Sequence, residues 1–562
     1  MVSPATGLSY EPSALPAWAK QLVDAYESNS ASQFLIYGNV EDRLLLPGAP
    51  PRIGTLTEFL LEVLMPGFDV VLSYDLGNGI RVEKGGPIFA KWPTAKSGSE
   101  FPKQPRAAIE LLTHYFRYSA NLARLNHEPV QIGCLIKGVD LIAPALRGIM
   151  DYDLGAMVTL VRDWASDSAL ADYPLATFLI AENLNDVHPL VTRNPRAAQV
   201  QVPLPSPEEL ASAFRALSSR YPKPLPNGAG QTEMIAGALA GSTLAASEKL
   251  LKAKQHANEE LTPSDLAGIK KEIVEADCRG LIEFVESKKT LNSVSGSEAI
   301  KAWLRQDISL WENGDVAALP KGYLLCGPVG TGKSFTVECL AGEAGVPVVK
   351  FKNFRDKWVG STEGNLERIF RLLRALGRCY VFIDEADQSL GKRESGGDSG
   401  VSGRVYSMIA EEMGSSENRG RIIWVLASSR PDLIEVDLKR PGRVDVKIPL
   451  LPTASPREGF ELIRFLCRSR GIEIGDDRYA DLAAKIPALL TPGAAETIAV
   501  KAYRLMRTKT LAPADALTEC LEHYRPPVPI ETMEFQIQLA VAEASDPSFV
   551  PPEFAPMLTH KS

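Results

Sequence analysis

The stretch "GPVGTGKS", Gly327 to Ser334, decides the reading of this 562-residue chain. It fits G-x-x-x-x-G-K-[S/T] in full. It follows the apolar run Tyr323 to Cys326 and opens onto "FTVECLAGEAG", which reads as a helix. Strand, glycine-rich turn and helix in that order make a phosphate cradle: the glycines let backbone N–H groups turn inward, and the helix N-terminus adds a favourable dipole. Gly327, Pro328, Val329, Gly330, Thr331, Gly332, Lys333, Ser334 and Phe335 are therefore the expected nucleotide contacts. Lys333 is expected at the β- and γ-phosphates and Ser334 on Mg²⁺, so ATP and Mg²⁺ are the expected cofactors.

Further along, "CYVFIDEAD" carries Asp384 and Glu385 at the end of an apolar strand. Beside a phosphate cradle, the first carboxylate suits a hydrated metal and the second suits activation of the attacking water. The pair points to hydrolysis and not only to binding.

Around these motifs the chain alternates. Residues 16–205 carry the buried-strand runs "SQFLIYGNV", "FDVVLSYDLG", "VQIGCLIKGVDLI" and "LATFLIAEN", separated by amphipathic helices. Residues 206–290 read as helices. Residues 291–452 return to strand–helix alternation with "GYLLCG", "PVVKFK", "RCYVFIDEAD", "RIIWVLAS" and "VDVKIPL". A second helical region spans 453–530, and 531–562 read as one more helix and a tail, with a flexible tail also expected at 1–15. This predicts two parallel-sheet cores, each with helices on both faces and a helical lid. One stretch supports a duplication: "FLIAENLNDVHPLVTRNPRAAQVQVPLP" lies over "WVLASSRPDLIEVDLKRPGRVDVKIPLLP", setting Arg193 and Arg196 opposite Arg440 and Arg443.

The bulk numbers exclude several classes. Seven scattered cysteines without C-x-x-C spacing argue against a disulfide scaffold or a zinc site and for a reducing compartment. The beginning "MVSPATGLSYEPS" has no basic-then-apolar leader pattern, and no apolar run is long enough to span a bilayer. A cytoplasmic protein with no membrane partner is expected. A net charge of −8 gives no overall footprint for nucleic acid.

Residues from about 291 to 550 resemble an AAA+ ATPase module, closest to the protein-remodelling group of katanin, spastin and the ESCRT-disassembling ATPases. The likeness rests on "LNSVSGSEAIKAWL", "GPVGTGKS", "DKWVGSTEGNLERIF", "VFIDEAD", "ASSRPD", "KRPGRVD" and "TPGAAETIAVKAYRLMR", in the family's order. It implies an αβα core with a helical lid, assembled into a homo-oligomeric ring, usually of six, that acts on a polypeptide substrate or adaptor. It implies that Trp358, Val359 and Gly360 of "KWVG" form a pore-facing loop that grips extended polypeptide, with the second pore loop near Ser395 to Arg404. Ser429 falls at the polar sensor position, where the family usually has Asn. Arg440 and Arg443 match the arginines that reach a neighbouring subunit's site. Gly493 and Ala494 match the lid turn near adenine and ribose, and Val294 and Ser295 the segment that covers the base.

The first module resembles an AAA+ core without its site. After "QFLIYG" comes "NVEDRLLLP", with no G-K-[S/T], and after "GCLIKG" comes "VDLIAP", where Asp140 has no following Glu. No hydrolysis is expected there. Two alternatives to a threading motor are an assembly scaffold switched by ATP, which a pore-loop substitution would spare, and a DNA loader, which the acidic balance and intact "KWVG" disfavour.

Overall fold

The computed structural model describes residues 15–48, 50–97, 101–145, 151–170, 172–225, 229–261, 280–352, 362–390 and 399–560, with isolated positions between 262 and 279. Its contacts divide into two compact units. One comprises the described residues up to 274 together with 362–375; the other comprises those from 275 to 352 and from 376 onward.

In the first unit, β1 (Gln33–Gly38), β4 (Val70–Asp75), β5 (Gly79–Lys84), β6 (Ile132–Lys137), β7 (Leu175–Ala181) and β8 (Ala197–Val202) form one sheet in the order β5-β4-β6-β7-β1-β8. Every pairing is parallel except β4 with β5. Helices cover both faces, so β6 and β7 are buried almost throughout and read as unbroken apolar runs. On one face Trp18 meets Phe59 at 5.1 Å between ring centroids, and on the other Phe116 meets Trp164 at 5.3 Å. The helices Pro207–Leu217, Ala229–Ala238 and Leu244–Ala257 follow as a lid with its own apolar cluster around Phe214 and Leu251. A separate hairpin pairs β2 (Arg43–Leu46) with β3 (Arg52–Thr55).

In the second unit, β9 (Ile282–Val285), β10 (Gly322–Cys326), β11 (Val348–Phe351), β12 (Cys379–Ile383), β13 (Ile422–Ser428) and β14 (Val446–Pro449) are ordered β9-β11-β12-β13-β10-β14. Only β9 runs antiparallel. For the five parallel strands this is the order of the first sheet; the antiparallel edge strand follows β4 in the first unit and precedes β10 in the second. Each has an antiparallel edge strand, and its first core strand lies between the last two, β1 between β7 and β8 and β10 between β13 and β14. The overlaid segments therefore occupy equivalent strands. The helices Pro456–Arg468, Pro492–Lys509 and Pro513–Glu522 form the lid around Phe460, Ile463 and Leu517. Lid helices in both units begin on a capping threonine: Thr243 accepts from Ala246 N and Thr491 from Ala494 N. Helix Ile530–Glu543 then returns to the β14 side, where Glu543 bridges Lys439 at 2.6 Å and Lys447 at 2.7 Å.

Four strands differ from the sequence reading. β9 lies within the stretch expected to be helical, and β5 and the β2–β3 hairpin had no predicted counterpart. β2, β3 and β9 have four residues each, and β5 and β9 are edge strands whose place is set by a neighbour in the sheet and not by their own apolar content.

Candidate nucleotide-binding site

The chain leaves β10 toward β11 on one side of the sheet and returns to β13 and β14 around it. The crevice at the carboxyl end of β10 is thus a topological switch point, where ligands sit in open α/β sheets. Gly327 opens the turn there with φ +153°, and a Cβ added to it would lie 2.0 Å from the Leu450 carbonyl oxygen. No other residue fits without moving β14's end. Gly332 then starts helix Lys333–Ala344.

The predicted phosphate-side residues converge on this turn. Lys333 Nζ donates to Gly327 O at 2.8 Å, Pro328 O at 3.0 Å and Ser429 Oγ at 3.3 Å. Burial lowers the Lys333 pKa, against the nearby Asp384 carboxylate, which raises it. Ser334 Oγ donates to Asp384 Oδ2 at 2.8 Å, bringing together residues fifty positions apart. An alcohol and a carboxylate are hard oxygen donors. A site that supplies only these, leaving the remaining positions to phosphate and water, suits Mg²⁺. Among the described residues no cluster of three or more His, Cys, Asp or Glu could hold a metal. All seven cysteines are buried.

Glu385 is exposed beside this pair and has a left-handed backbone, φ +48°. Such a conformation is strained for a glutamate, and strain of this kind clusters at working sites. From the lid, Gly493 N donates to Gly330 O at 2.9 Å, and Ala494 N is capped by Thr491. Val294 packs on the core cluster that Leu291 belongs to, and Ser295 follows it, half-buried. Phe335 is exposed on the first turn after the cradle, with Lys289 Nζ 4.8 Å from its ring centre.

Arg440 and Arg443 share one carboxylate, that of Asp437, but differ in access. The Arg440 side chain is 60% exposed and its Nε is 3.2 Å from Asp437 Oδ1. The Arg443 side chain is 13% exposed and pairs with Asp437 Oδ2. Its Nε is buried without a hydrogen-bond partner among the described residues. Trp358, Val359 and Gly360 lie outside the described residues, as does the stretch 395–398 of the second expected pore loop; residues 399–404 begin helix Ser399–Gly414.

Four contributors escaped the sequence reading. Lys350 Nζ lies 3.3 Å from Asp384 Oδ2. Asp387 accepts from Ser428 Oγ at 2.6 Å. Gln536 Oε1 accepts from Val329 N at 3.4 Å, and Glu543 holds Lys439 next to Arg440. Lys350, at the end of its strand β11 as Asp384 follows β12, could have been inferred from parallel pairing; Gln536 and Glu543 had no local signal.

Residues 3–203 match the family model described as the AAA+ chaperone N-terminal Rossmann-like domain, and residues 323–451 match that of the ATPase family associated with various cellular activities, AAA. The chain is 34% identical over 169 residues to the cell division cycle protein 48 homolog of Archaeoglobus fulgidus, covering 30% of this chain and 23% of that protein. It is 34% identical over 220 residues to the ATP-dependent zinc metalloprotease FtsH 2 of Symbiobacterium thermophilum, covering 37% and 36%. It is 29% identical over 230 residues to the ATPase family gene 2 protein of Schizosaccharomyces pombe, covering 39% and 28%. The chain thus spans well under half the length of each of these relatives. No described helix is long and apolar enough to cross a membrane.

Proposed function

Because this chain carries an AAA ATPase domain behind an AAA+ chaperone N-terminal Rossmann-like domain, we propose that it is an ATP-hydrolysing ring motor that remodels, disassembles or threads protein substrates. The observation that carries the reading is the meeting of Lys333, Ser334, Asp384 and Ser429 around the glycine turn at the switch point.

In this reading, ATP phosphates take the place of the loop carbonyls on Lys333 Nζ, and the backbone N–H groups of the turn hold the remaining oxygens. Ser334 and Asp384 hold Mg²⁺, which when bound neutralises part of the phosphate charge. Glu385 accepts a proton from the attacking water, and Ser429 orients that water or the γ-phosphate. Gly493, Ala494, Val294 and Ser295 enclose the base and ribose. Arg440, backed by Arg443, completes a neighbouring subunit's site in a head-to-tail ring, most simply of six. Trp358, Val359 and Gly360 grip the polypeptide. The first unit lacks cradle and base and serves ring stability or substrate docking.

The test is Glu385→Gln, which keeps shape and loses the base. Bound ATP should persist through hours of incubation and phosphate release should fall to background. Release at the parental rate would remove Glu385 from its role.

A further inference from the structure

The first unit has a crevice at the same switch point, between β1, β8 and its lid. There we infer a binding site for an uncharged, nucleoside-sized aromatic ligand, with adenosine as the type, from which triphosphates are excluded. The equivalence to the second unit is close. Gly38 ends β1 with φ +107°, and a Cβ on it would lie 2.4 Å from the Val202 carbonyl oxygen, as one on Gly327 would meet Leu450.

Beyond the glycine the two units diverge. In place of a phosphate cradle, the turn after Gly38 delivers the Asp42 carboxylate, 5% exposed. It accepts from Asn39 Nδ2 at 2.8 Å, Arg43 N at 2.7 Å, Leu244 N at 2.9 Å and Ala245 N at 2.8 Å. Leu244 and Ala245 are the first residues of lid helix Leu244–Ala257. The positive end of that helix, which could have received a phosphate, is already given to a fixed negative charge. Burial raises the Asp42 pKa while the four donors oppose the rise. A triphosphate here would meet a carboxylate and find those donors taken.

A cleft of about 310 Å³ lies beside Asp42, with Pro16, Trp18, Leu44, Phe59 and Pro203 among its walls. That volume is at the lower end of small-ligand sites; Trp18 and Phe59 are buried beneath it, and the accessible faces of Pro16, Leu44 and Pro203 suit a planar heterocycle. Of the lining residues, Arg43 is the one cation and Glu209 the one anion, and with the Asp42 carboxylate beside them the surroundings are net negative, which disfavours an anionic ligand. Asn39, its amide nitrogen engaged by Asp42, has a carbonyl oxygen with no hydrogen bond to the described residues and is placed to accept from an amino or hydroxyl group.

The test uses the full chain carrying Lys333→Ala, which disables the phosphate site of the second unit, and measures adenosine and ATP by calorimetry. Adenosine should bind at least about tenfold more tightly than ATP. Adding Leu44→Trp, which fills the cleft from half-buried β2, should abolish adenosine binding while the far-ultraviolet circular dichroism stays parental. Adding Asp42→Asn should narrow the preference against ATP. Absence of adenosine binding at millimolar concentration would overturn the inference. So would binding that Leu44→Trp leaves intact, since it would then belong to the second unit. These outcomes do not depend on whether the second unit hydrolyses ATP.

Discussion

Lys333→Ala separates binding from folding in this site, and its size follows from the hydrogen bonds Lys333 makes. In the ligand-free chain, Nζ is held by two loop carbonyls and the Ser429 hydroxyl at 2.8 to 3.3 Å. Nucleotide binding exchanges these neutral acceptors for phosphate oxygens, so the gain is that of charge-assisted bonds less the bonds given up. A hydrogen bond to a charged group contributes about 1.5–3 kcal/mol. With one or two such bonds to phosphate, the expected loss is about 2–4 kcal/mol, or roughly 30- to 1,000-fold in Kd for ATP. The structure adds a proton signature. Burial lowers the Lys333 pKa in the free chain, and phosphate draws it back up. Binding should therefore take up a proton in the pH window between the lowered pKa and the raised pKa of the phosphate-bound amine, and affinity should fall as pH rises through that window. Calorimetry in two buffers of different ionisation enthalpy reads both quantities. Lys333→Arg, always charged, should lose the uptake. A Lys333→Ala Kd within threefold of the parental value, or proton uptake unchanged in that variant, would refute the assignment.

Two other substitutions probe the pore and the turn. Trp358→Ala should leave ATP binding and assembly intact and abolish processing of an unfolded protein substrate; full processing would favour the scaffold alternative. Gly327→Ala, whose new methyl lies 2.0 Å from a carbonyl oxygen, should destabilise the second unit by about 3 kcal/mol or more, against about 1–2 for Gly332→Ala, which meets nothing within 4 Å. Equal losses in urea unfolding would show that the Leu450 approach does not constrain Gly327.

The sequence revealed most where structure is local. The cradle is eight consecutive residues, and Asp384 and Glu385 end a strand buried on both faces, so the meeting of Asp384 with Ser334 followed from the strand–turn–helix unit. The buried runs of β6 and β7 likewise announced the first sheet without a site to mark it. The duplication was legible in one stretch, and the matching order of the five parallel strands extends the likeness beyond it. What the sequence hid is set by partners distant in the chain. β9 is four residues, "IEFV", between helices, and becomes a strand by pairing with β11. Gln536 reaches Val329 across 207 residues. The unequal access of Arg440 and Arg443 also had no trace in "KRPGR", because it depends on Asp437 and on what buries Arg443 Nε.

The central claim is that a neighbour's arginine completes each ATP site, and mixing two inactive variants tests it most directly. An arginine at the developing phosphate charge is worth about 10³ or more in rate. Arg440→Ala and Lys333→Ala alone should therefore hydrolyse ATP at background. Mixed equally and reassembled, about a quarter of the junctions join an intact cradle to an intact Arg440 and should recover a matching fraction of parental activity. Activity should also rise with total protein concentration. Unimpaired hydrolysis by Arg440→Ala, from a proven monomer and at a rate independent of concentration, would contradict the account.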